Sequence, residues 1–377
     1  MKLNKTLSQT LTGILTHYGM VLSQMDENTF EYLAPSDMAA ALHLPEYGKL
    51  GFSYQTTGQE IVPALHDSEL FKSIEKFLTD KGKIAKASYP AVTVNPAKLS
   101  KIISQTTGFS NATFRMKEEE TKTISYLLIC FKYRALSDDK QEGILSILIN
   151  ALNFSTSFPE ESLDVILENL QDSRENNFSS ALYPKITRPF KAASLAAENA
   201  VKEKLKDFRK SSGKRLNRDI QRIYEYYETL QKETRKLIEK AQKNSEEDKS
   251  RLFGKLQAIQ TEQKWKIQDI VSRYALKITV EPVALIWIET QTTLWGIEIR
   301  RRALSRSFAL SYNPFFKRLD PLPCEGCFFP RGDYSICDDQ LHILCSQCFK
   351  TCARCEKKYC AVCWHGICPK CTLKPHS

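Results

Sequence analysis

Residues 324–371 read CEGC-FFPRGDYSI-C-DDQL-H-IL-CSQC-FKT-CARC-EKKY-CAVC-WHGI-CPKC, and this stretch holds eleven of the twelve cysteines in the 377-residue chain. Five C-x2-C pairs occur, with Cys337 and His342 between the first and second. Two cysteines so spaced place both thiolates on one side of a tight turn, as two corners of a tetrahedral zinc site require. The candidate ligands are Cys324, Cys327, Cys337, His342, Cys345, Cys348, Cys352, Cys355, Cys360, Cys363, Cys368 and Cys371. Twelve ligands divide into three four-coordinate sites, so three Zn²⁺ ions in closed, structural sites are expected. Each such ion contributes about 10–16 kcal/mol of apparent binding free energy. With few aliphatic residues of its own, the segment is expected to unfold without metal.

A disulfide framework would explain the same cysteines only in an oxidising compartment. The first residues, Met1 to Thr6, begin basic, but Ser8, Gln9, Thr10 and Thr12 follow and are too polar for a signal sequence. No apolar run approaches the roughly 18 residues of a membrane span; the longest, 283–288, stops at Glu289. The expectation is a cytoplasmic chain without membrane contact, whose thiols bind metal. Cys130, alone in Tyr126-Leu127-Leu128-Ile129-Cys130-Phe131, is expected to be a buried small hydrophobe.

The first eight ligands resemble the order of a RING-type cross-brace. That resemblance implies one site from Cys324, Cys327, Cys345 and Cys348 and a second from Cys337, His342, Cys352 and Cys355. Cys360, Cys363, Cys368 and Cys371 would form the third. Sequential pairing, or His365 or His376 in place of a thiol, remains open. Ubiquitin-ligase RINGs carry an aliphatic residue inside the first knuckle, proline after the seventh ligand and a basic residue after the eighth. Here those places hold Glu325-Gly326, Ala353 and Glu356.

Outward from the tail, 276–280, 283–289, 294–300 and 307–312 are rich in β-branched and aromatic residues and predict an antiparallel meander. A meander this small has little core alone, so it is expected to add to an N-terminal sheet. Before it, 191–275 contains no proline and repeats apolar residues at steps of four and three. Leu216, Ile220, Ile223, Tyr227, Leu230, Thr234, Leu237 and Ala241 form one series; Leu252, Leu256, Ile259, Gln263, Ile267, Ile270 and Tyr274 form the next. Ser245, followed by acidic residues, is a good N-cap between them. Two heptad-like helices joined so closely predict an antiparallel coiled-coil hairpin. Unbroken from 191 to 243, the first arm would be about 80 Å long. Either it breaks near Ser211-Ser212-Gly213, or its N-terminal half packs on something else.

Residues 156–190, with Pro159, Pro184 and Pro189 around a short helix at 163–170, read as a linker. Residues 1–155 read as a mixed α/β domain. Its expected helices end near Gly19, start at Asp67-Ser68-Glu69 with a stop at Gly82, and open at Asn95-Pro96. Its expected strands are 20–24, 30–33, 113–117 and 121–134; 144–152 fits strand or buried helix. The fold class expected is therefore α+β: a mixed N-terminal domain (1–155), a linker (156–190), a helical hairpin (191–275), return strands (276–319) and a multi-zinc treble/RING-like module (320–377).

The net charge of +10 is uneven. Residues 1–190 hold 19 basic against 22 acidic side chains, whereas 191–275 hold 21 against 13. Lys202, Lys204, Lys206, Arg209, Lys210, Lys214, Arg215, Arg218 and Arg222 crowd the first arm and could track phosphates. Arg300, Arg301 and Arg302, with Arg306, Lys317 and Arg318, form a second basic patch beside the zinc tail. The bland alternatives are a solvated helix face and a charge-blunted strand edge. Tyr224, Tyr226 and Tyr227 could stack on bases, although seam and rim packing suits them better. Gly213-Lys214 is not a phosphate loop, because Phe208 stands where its first glycine belongs and Arg215 follows the lysine. No hydrolase signature is present, and His17, His43 and His66 have no motif partner.

A mixed domain, a Lys/Glu-rich helical hairpin and a return strand, over residues 60–288, resemble the C-terminal region of the bacterial Swi/Snf-type ATPase that recycles RNA polymerase. Asp67-Ser68-Glu69-Leu70 and Arg273-Tyr274-Ala275-Leu276-Lys277-Ile278-Thr279-Val280 carry the likeness; the ATPase core has no counterpart here. The resemblance implies a partner of a Swi/Snf-type ATPase or RNA polymerase that acts on DNA or RNA. The expectation is a non-catalytic, zinc-binding adaptor. The alternatives are a protein–protein scaffold without nucleic-acid contact and a RING-type ligase.

Overall fold

The computed structural model of the chain describes residues 6–55, 60–80, 83–92, 103, 108–172, 183–241 and 246–372. It divides into two compact units, Met1–Ala85 and Lys86–Ser377. The boundary thus falls inside the 1–155 region read as one domain. The reason is pairing: the four strands at 21–63 pair among themselves, whereas the strand at 113–136 pairs with one at 277–301, far later in the chain.

In the first unit, helix α1 (Leu7–His17) is opened by a capping box between Thr6 and Gln9. Strands β1 (Val21–Gln24) and β2 (Thr29–Leu33), helix α2 (Ser36–Leu42), strands β3 (Tyr47–Gly51) and β4 (Ile61–Pro63), and helix α3 (Glu69–Asp80) follow. The sheet order is β1-β2-β3-β4, with only the last pair parallel. Ser68 opens α3 by accepting the Phe71 N–H at 3.2 Å. Leu11, Leu15, Tyr32, Met38, Leu42, Leu50, Leu70 and Ile74 form the core. Gly82 and Asn95-Pro96 lie outside the described residues.

The second unit is built on an eight-stranded sheet. Strands β5 (Ile84–Ser88), β6 (Thr113–Leu136), β7 (Lys140–Asn150) and β8 (Thr156–Ser157) precede a short helix α4 (Leu163–Glu168) and strand β9 (Gln171–Asp172). Three long helices, α5 (Tyr183–Lys204), α6 (Lys206–Ala241) and α7 (Glu246–Arg273), lead to β10 (Lys277–Arg301), β11 (Leu304–Asn313) and β12 (Arg318–Leu319). The order is β12-β11-β10-β6-β7-β8, with β5 against β10 and β9. The pairs 113–117 and 121–134, read as separate strands, are one 24-residue strand. Likewise 276–280, 283–289 and 294–300 are one 25-residue strand, not three. Glu118-Glu119-Glu120, Pro282 and Thr290–Thr293 look like interruptions, but the long partner strand holds them. The missing N–H of Pro282 falls at a register shift between Pro282 and Ala284. Of the ambiguous 144–152 region, 144–150 is strand, with Leu145 to Asn150 buried on both faces, and 151–152 belong to the following turn.

Helix α5 covers one face of the sheet. Ala192, Ala193, Ala196, Ala197, Ala200 and Val201 lie against Leu127, Ile129, Ile147 and Trp287. Small side chains let the helix approach the strands closely. This is why the first arm ends its free run early: its N-terminal half is packed, and α6 continues beyond. The junction is Leu205, not Ser211-Ser212-Gly213, which lie within α6. Pro189 sits inside α5, so the 156–190 linker ends earlier than its prolines suggest.

Helices α6 and α7 lie side by side and antiparallel. Tyr274 donates to Asp219 at 2.6 Å at one level, and Gln231 donates to Gln263 at 2.9 Å further along. Tyr227, Thr234 and Ile259 are buried between them. The β6–β7 turn anchors their base: Arg215 and Ser212 donate to Asp138 at 2.5 and 2.9 Å, and Ser137 donates to the Tyr274 carbonyl at 2.9 Å. The Arg215 hydrogen bond holds the Asp138 carboxyl down at about 2. Ser245 lies outside the described residues. Cys130 is half-buried rather than buried, with its thiol 3.5 Å from the Ser146 hydroxyl on the paired strand. Among the described residues no helix is long and apolar enough to cross a membrane.

Candidate metal centre

The chain enters the tail through a buried polar hub. Asp320 accepts from Tyr126, Asn150 and Ser311 on one oxygen, at 2.7, 2.9 and 2.7 Å, and from Asn313 at 2.7 Å on the other. Burial pushes its carboxyl upward, and the four donors oppose that. The hub ties β6, β7 and β11 to the first residues of the cysteine segment.

Strands β13 (Ser335–Ile336), β14 (Ile343–Leu344), β15 (Phe349–Thr351) and β16 (Lys358–Cys360), and helix α8 (Pro369–Thr372), are the regular elements of the segment. Most of its shape comes from knuckle turns. The N–H of the fourth residue past the leading cysteine reaches that cysteine's carbonyl: Phe328 to Cys324 at 2.7 Å, Phe349 to Cys345 at 2.9 Å, Glu356 to Cys352 at 2.8 Å and Trp364 to Cys360 at 3.2 Å. Amide hydrogens also point at sulfur, Cys345 N–H to Cys324 and His342 N–H to Cys337, both at 3.2 Å.

Three clusters result: Cys324, Cys327, Cys345 and Cys348; Cys337, His342, Cys360 and Cys363; and Cys352, Cys355, Cys368 and Cys371. Within each, all ligand atoms lie within 4.8 Å of one another. The Sγ–Sγ separations of 3.8 Å for Cys327–Cys345, 3.9 Å for Cys337–Cys363, 3.7 Å for Cys352–Cys371 and 3.6 Å for Cys355–Cys368 are informative. A Zn–S bond of about 2.3 Å makes the edge of a sulfur tetrahedron about 3.8 Å. A disulfide needs about 2.05 Å, and every cysteine is free. His342 turns Nδ1 toward Cys337, Cys360 and Cys363 at 3.8, 3.7 and 3.3 Å. Its Cys360 neighbour draws the Cys337 thiol down to about 4, and backbone N–H groups of Cys355 and Arg354 draw Cys352 down to about 6. The three clusters fit three zinc ions.

The first cluster matches the cross-brace pairing, but the second and third do not. Strands β15 and β16 form a hairpin with Phe349 opposite Cys360, and Cys352 and Cys355 sit at its tip. The hairpin therefore carries that knuckle away from Cys337 and His342 and returns Cys360 and Cys363 to them. The tip knuckle closes on Cys368 and Cys371 instead. His365 belongs to none of the three clusters, and His376 lies outside the described residues.

The first two clusters share a core with the sheet. Cys324, Cys327, Cys337, Cys345 and Cys360 pack with Trp295, Ile297, Ile299, Phe308 and Leu310 of β10 and β11. Residues that the cysteine spacing does not reveal complete the joint. Glu325, inside the first knuckle, receives both Arg306 guanidinium nitrogens at 2.7 and 2.6 Å and the Ile343 N–H at 2.7 Å. Asn111 bridges to Ile336 through both its amide ends. Gly326 is obligatory: a Cβ there would lie 2.8 Å from the Cys348 Cβ.

Four arginines of the second basic patch are held in ion pairs within the chain. Arg300 pairs with Glu298 at 2.6 Å, Arg301 and Arg302 reach Asp338 at 2.6 and 3.2 Å, and Arg306 holds Glu325. On the long helices, Arg215 is committed to Asp138, Lys204 to Glu160 and Lys206 to Glu203, while Arg218 and Arg222 flank Asp219 at 3.7 and 3.6 Å. Among the described residues, Lys202, Arg209, Lys210 and Lys214 are exposed without an ion pair. The chain matches no protein-family model and no curated protein.

Proposed function

We propose that this zinc-binding protein is a non-catalytic adaptor that engages nucleic acid, or a motor working on nucleic acid, through its long helical pair. One observation carries the reading. Among the described residues, side-chain bonds to Asp138 and Ser137 fasten the helices to the body at their base, beside the packed α5, and the helices run on from there with an exposed basic surface. Coiled-coil packing would keep the arm stiff. The zinc clusters, with every ligand position taken by protein, would act as architecture that holds β10 and β11 rigid behind it. A Swi/Snf-type ATPase or RNA polymerase is the partner class suggested by the layout of residues 60–288.

The exposed aromatic residues on the arm, Tyr224, Phe253 and Trp265, favour a second reading, a scaffold that binds protein alone, since such side chains anchor protein interfaces. A gel-shift titration of the zinc-loaded full chain against DNA and RNA separates the two. Binding that weakens steeply with salt is expected. No shift with any nucleic acid at about 50 mM salt would leave the scaffold.

A further inference from the structure

The positive charge of the helical region is not spread along it. Residues 202–222 carry nine Lys or Arg against three carboxylates, Glu203, Asp207 and Asp219. The remainder of α6, residues 223–240, carries four against four. Helix α7 carries six against five. The pairs outside that stretch are ordinary helix-surface ones, such as Lys232–Glu228 and Arg273–Asp269. The proximal stretch is built differently. Lys202, Lys206, Lys210, Lys214, Arg218 and Arg222 recur at every fourth residue, and all six are exposed. Like charges one turn apart repel and weaken a helix, so nothing in the fold of the free chain calls for six in succession.

The ladder survives the α5–α6 junction. Leu205 N–H bonds to Val201 O, and Arg209 N–H to Leu205 O, each at 2.9 Å. Two backbone bonds thus span the Leu205 junction between the helices, and the six cations follow one another at steps of about 6 Å over about 30 Å. Residues four apart advance by about 40° around the cylinder at each step, so the row winds by about 200° from Lys202 to Arg222 and on the way passes over the outward side of α6, opposite the seam marked by Ile220, Ile223 and Tyr227. The next step after Arg222 is Tyr226, 62% exposed. Arg209, at the flank, adds a seventh cation and, like Lys202, Lys210 and Lys214, has no ion pair among the described residues. The carboxylates do not cancel the row: Glu203 is shared between Lys206 and Arg331, and Asp219 receives the Tyr274 hydroxyl.

We infer that the ridge from Lys202 to Arg222 is a track for the phosphate backbone of single-stranded nucleic acid, with Tyr226 stacking on a base at its end. This rests on the adaptor reading above and gives it a ligand and a surface. A regular row of cations winding around a helix suits a flexible single strand of regularly spaced phosphates that can follow it, and an aromatic side chain at the next step of the row suits an unpaired base.

The experiment is fluorescence anisotropy of the zinc-loaded full chain with a labelled single-stranded oligonucleotide, the matching duplex, and heparin as a non-nucleic polyanion. Lys210→Glu with Lys214→Glu is expected to weaken single-strand binding by at least about tenfold and to flatten the log–log salt slope by about 1.4. Lys236→Glu with Lys240→Glu, in the charge-balanced half, is expected to stay within about twofold. Tyr226→Ala should weaken the single strand by about fivefold or more and leave heparin unchanged; circular dichroism and zinc content verify that each variant is folded. If the ladder variants bind as the wild type does, the track is wrong while the adaptor reading stands. If the wild type binds no nucleic acid, both fall. Tighter duplex binding that ignores Tyr226, or equal dependence of heparin on it, overturns the strand assignment.

Discussion

The first and third metal clusters use the same four-cysteine chemistry in opposite surroundings. Cys324, Cys327 and Cys345 are buried among Trp295, Ile297, Ile336 and Leu344, so the ion they hold sits inside the hydrophobic core of the second unit. Cys352, Cys355 and Cys371 are half-buried, none of the third cluster belongs to that core, and the cluster clasps only a hairpin tip and a four-residue helix. The difference separates two roles for zinc. In one it substitutes for the aliphatic side chains that the cysteine segment lacks where it packs on the sheet. In the other it closes a local loop.

Cys345→Ser and Cys371→Ser should therefore behave unequally, and this is the largest effect expected. The first should lose at least one ion and lower the melting temperature by about 10 °C or more, since about 4 kcal/mol is at stake and a unit of this size shifts by about 2–4 °C per kcal/mol. The second should also lose one ion, reducing zinc from three equivalents to two, with the main transition moved by no more than about 3 °C. Metal analysis beside calorimetry checks both. Equal losses of stability would remove the distinction.

A smaller test uses the same place in two knuckles. Gly326 and Arg354 each precede the second cysteine of their pair. At Gly326 a Cβ would meet the Cys348 Cβ at 2.8 Å and its Sγ at 2.9 Å, whereas Arg354 is exposed. Gly326→Ala should cost about 1–3 kcal/mol, as overpacking does, and Arg354→Ala no more than about 0.5 kcal/mol. Chemical denaturation of the zinc-loaded chain measures the two; a tolerated Gly326→Ala would mean the first knuckle has slack that its packing denies.

The metal ligands were legible because zinc demands particular atoms at particular spacings, and a cysteine pair carries that demand within four residues. Which knuckle meets which was not. That depends on the β15–β16 hairpin, whose strands of three residues each are too short for Phe349, Lys350 and Thr351 to stand out as a strand. The helical pair was legible through its repeat, yet the sheet contacts of the alanine-rich α5 were not, because Ala192, Ala196 and Ala200 look like helix propensity rather than core. The long strands were hidden by Glu118-Glu119-Glu120 and Pro282, residues that a strand tolerates only when its partner runs alongside unbroken. The tail arginines illustrate the same limit from the other side. Arg301 and Arg306 look like a basic patch until Asp338 and Glu325 arrive from another part of the chain.

The smallest effect concerns the base of the helical pair, which contains no metal ligand and should be independent of all three clusters. Asp138 accepts from Arg215 and Ser212, and its carboxyl is held at about 2 against an ordinary 3.8. A depressed folded-state value means the contribution is complete above about pH 4 and disappears only as pH falls through about 2. Thiolate ligands take up protons and release zinc well before that. Lowering the pH should thus strip metal first and leave the base of α6 closed, with amide exchange in residues 206–220, corrected for intrinsic rate, still slow after zinc has gone. Asp138→Asn should open the same segment at neutral pH by about 1 kcal/mol, since the pair is part-exposed and screened. Simultaneous release of zinc and opening of the base in the wild type would show that arm and metal core are one cooperative structure.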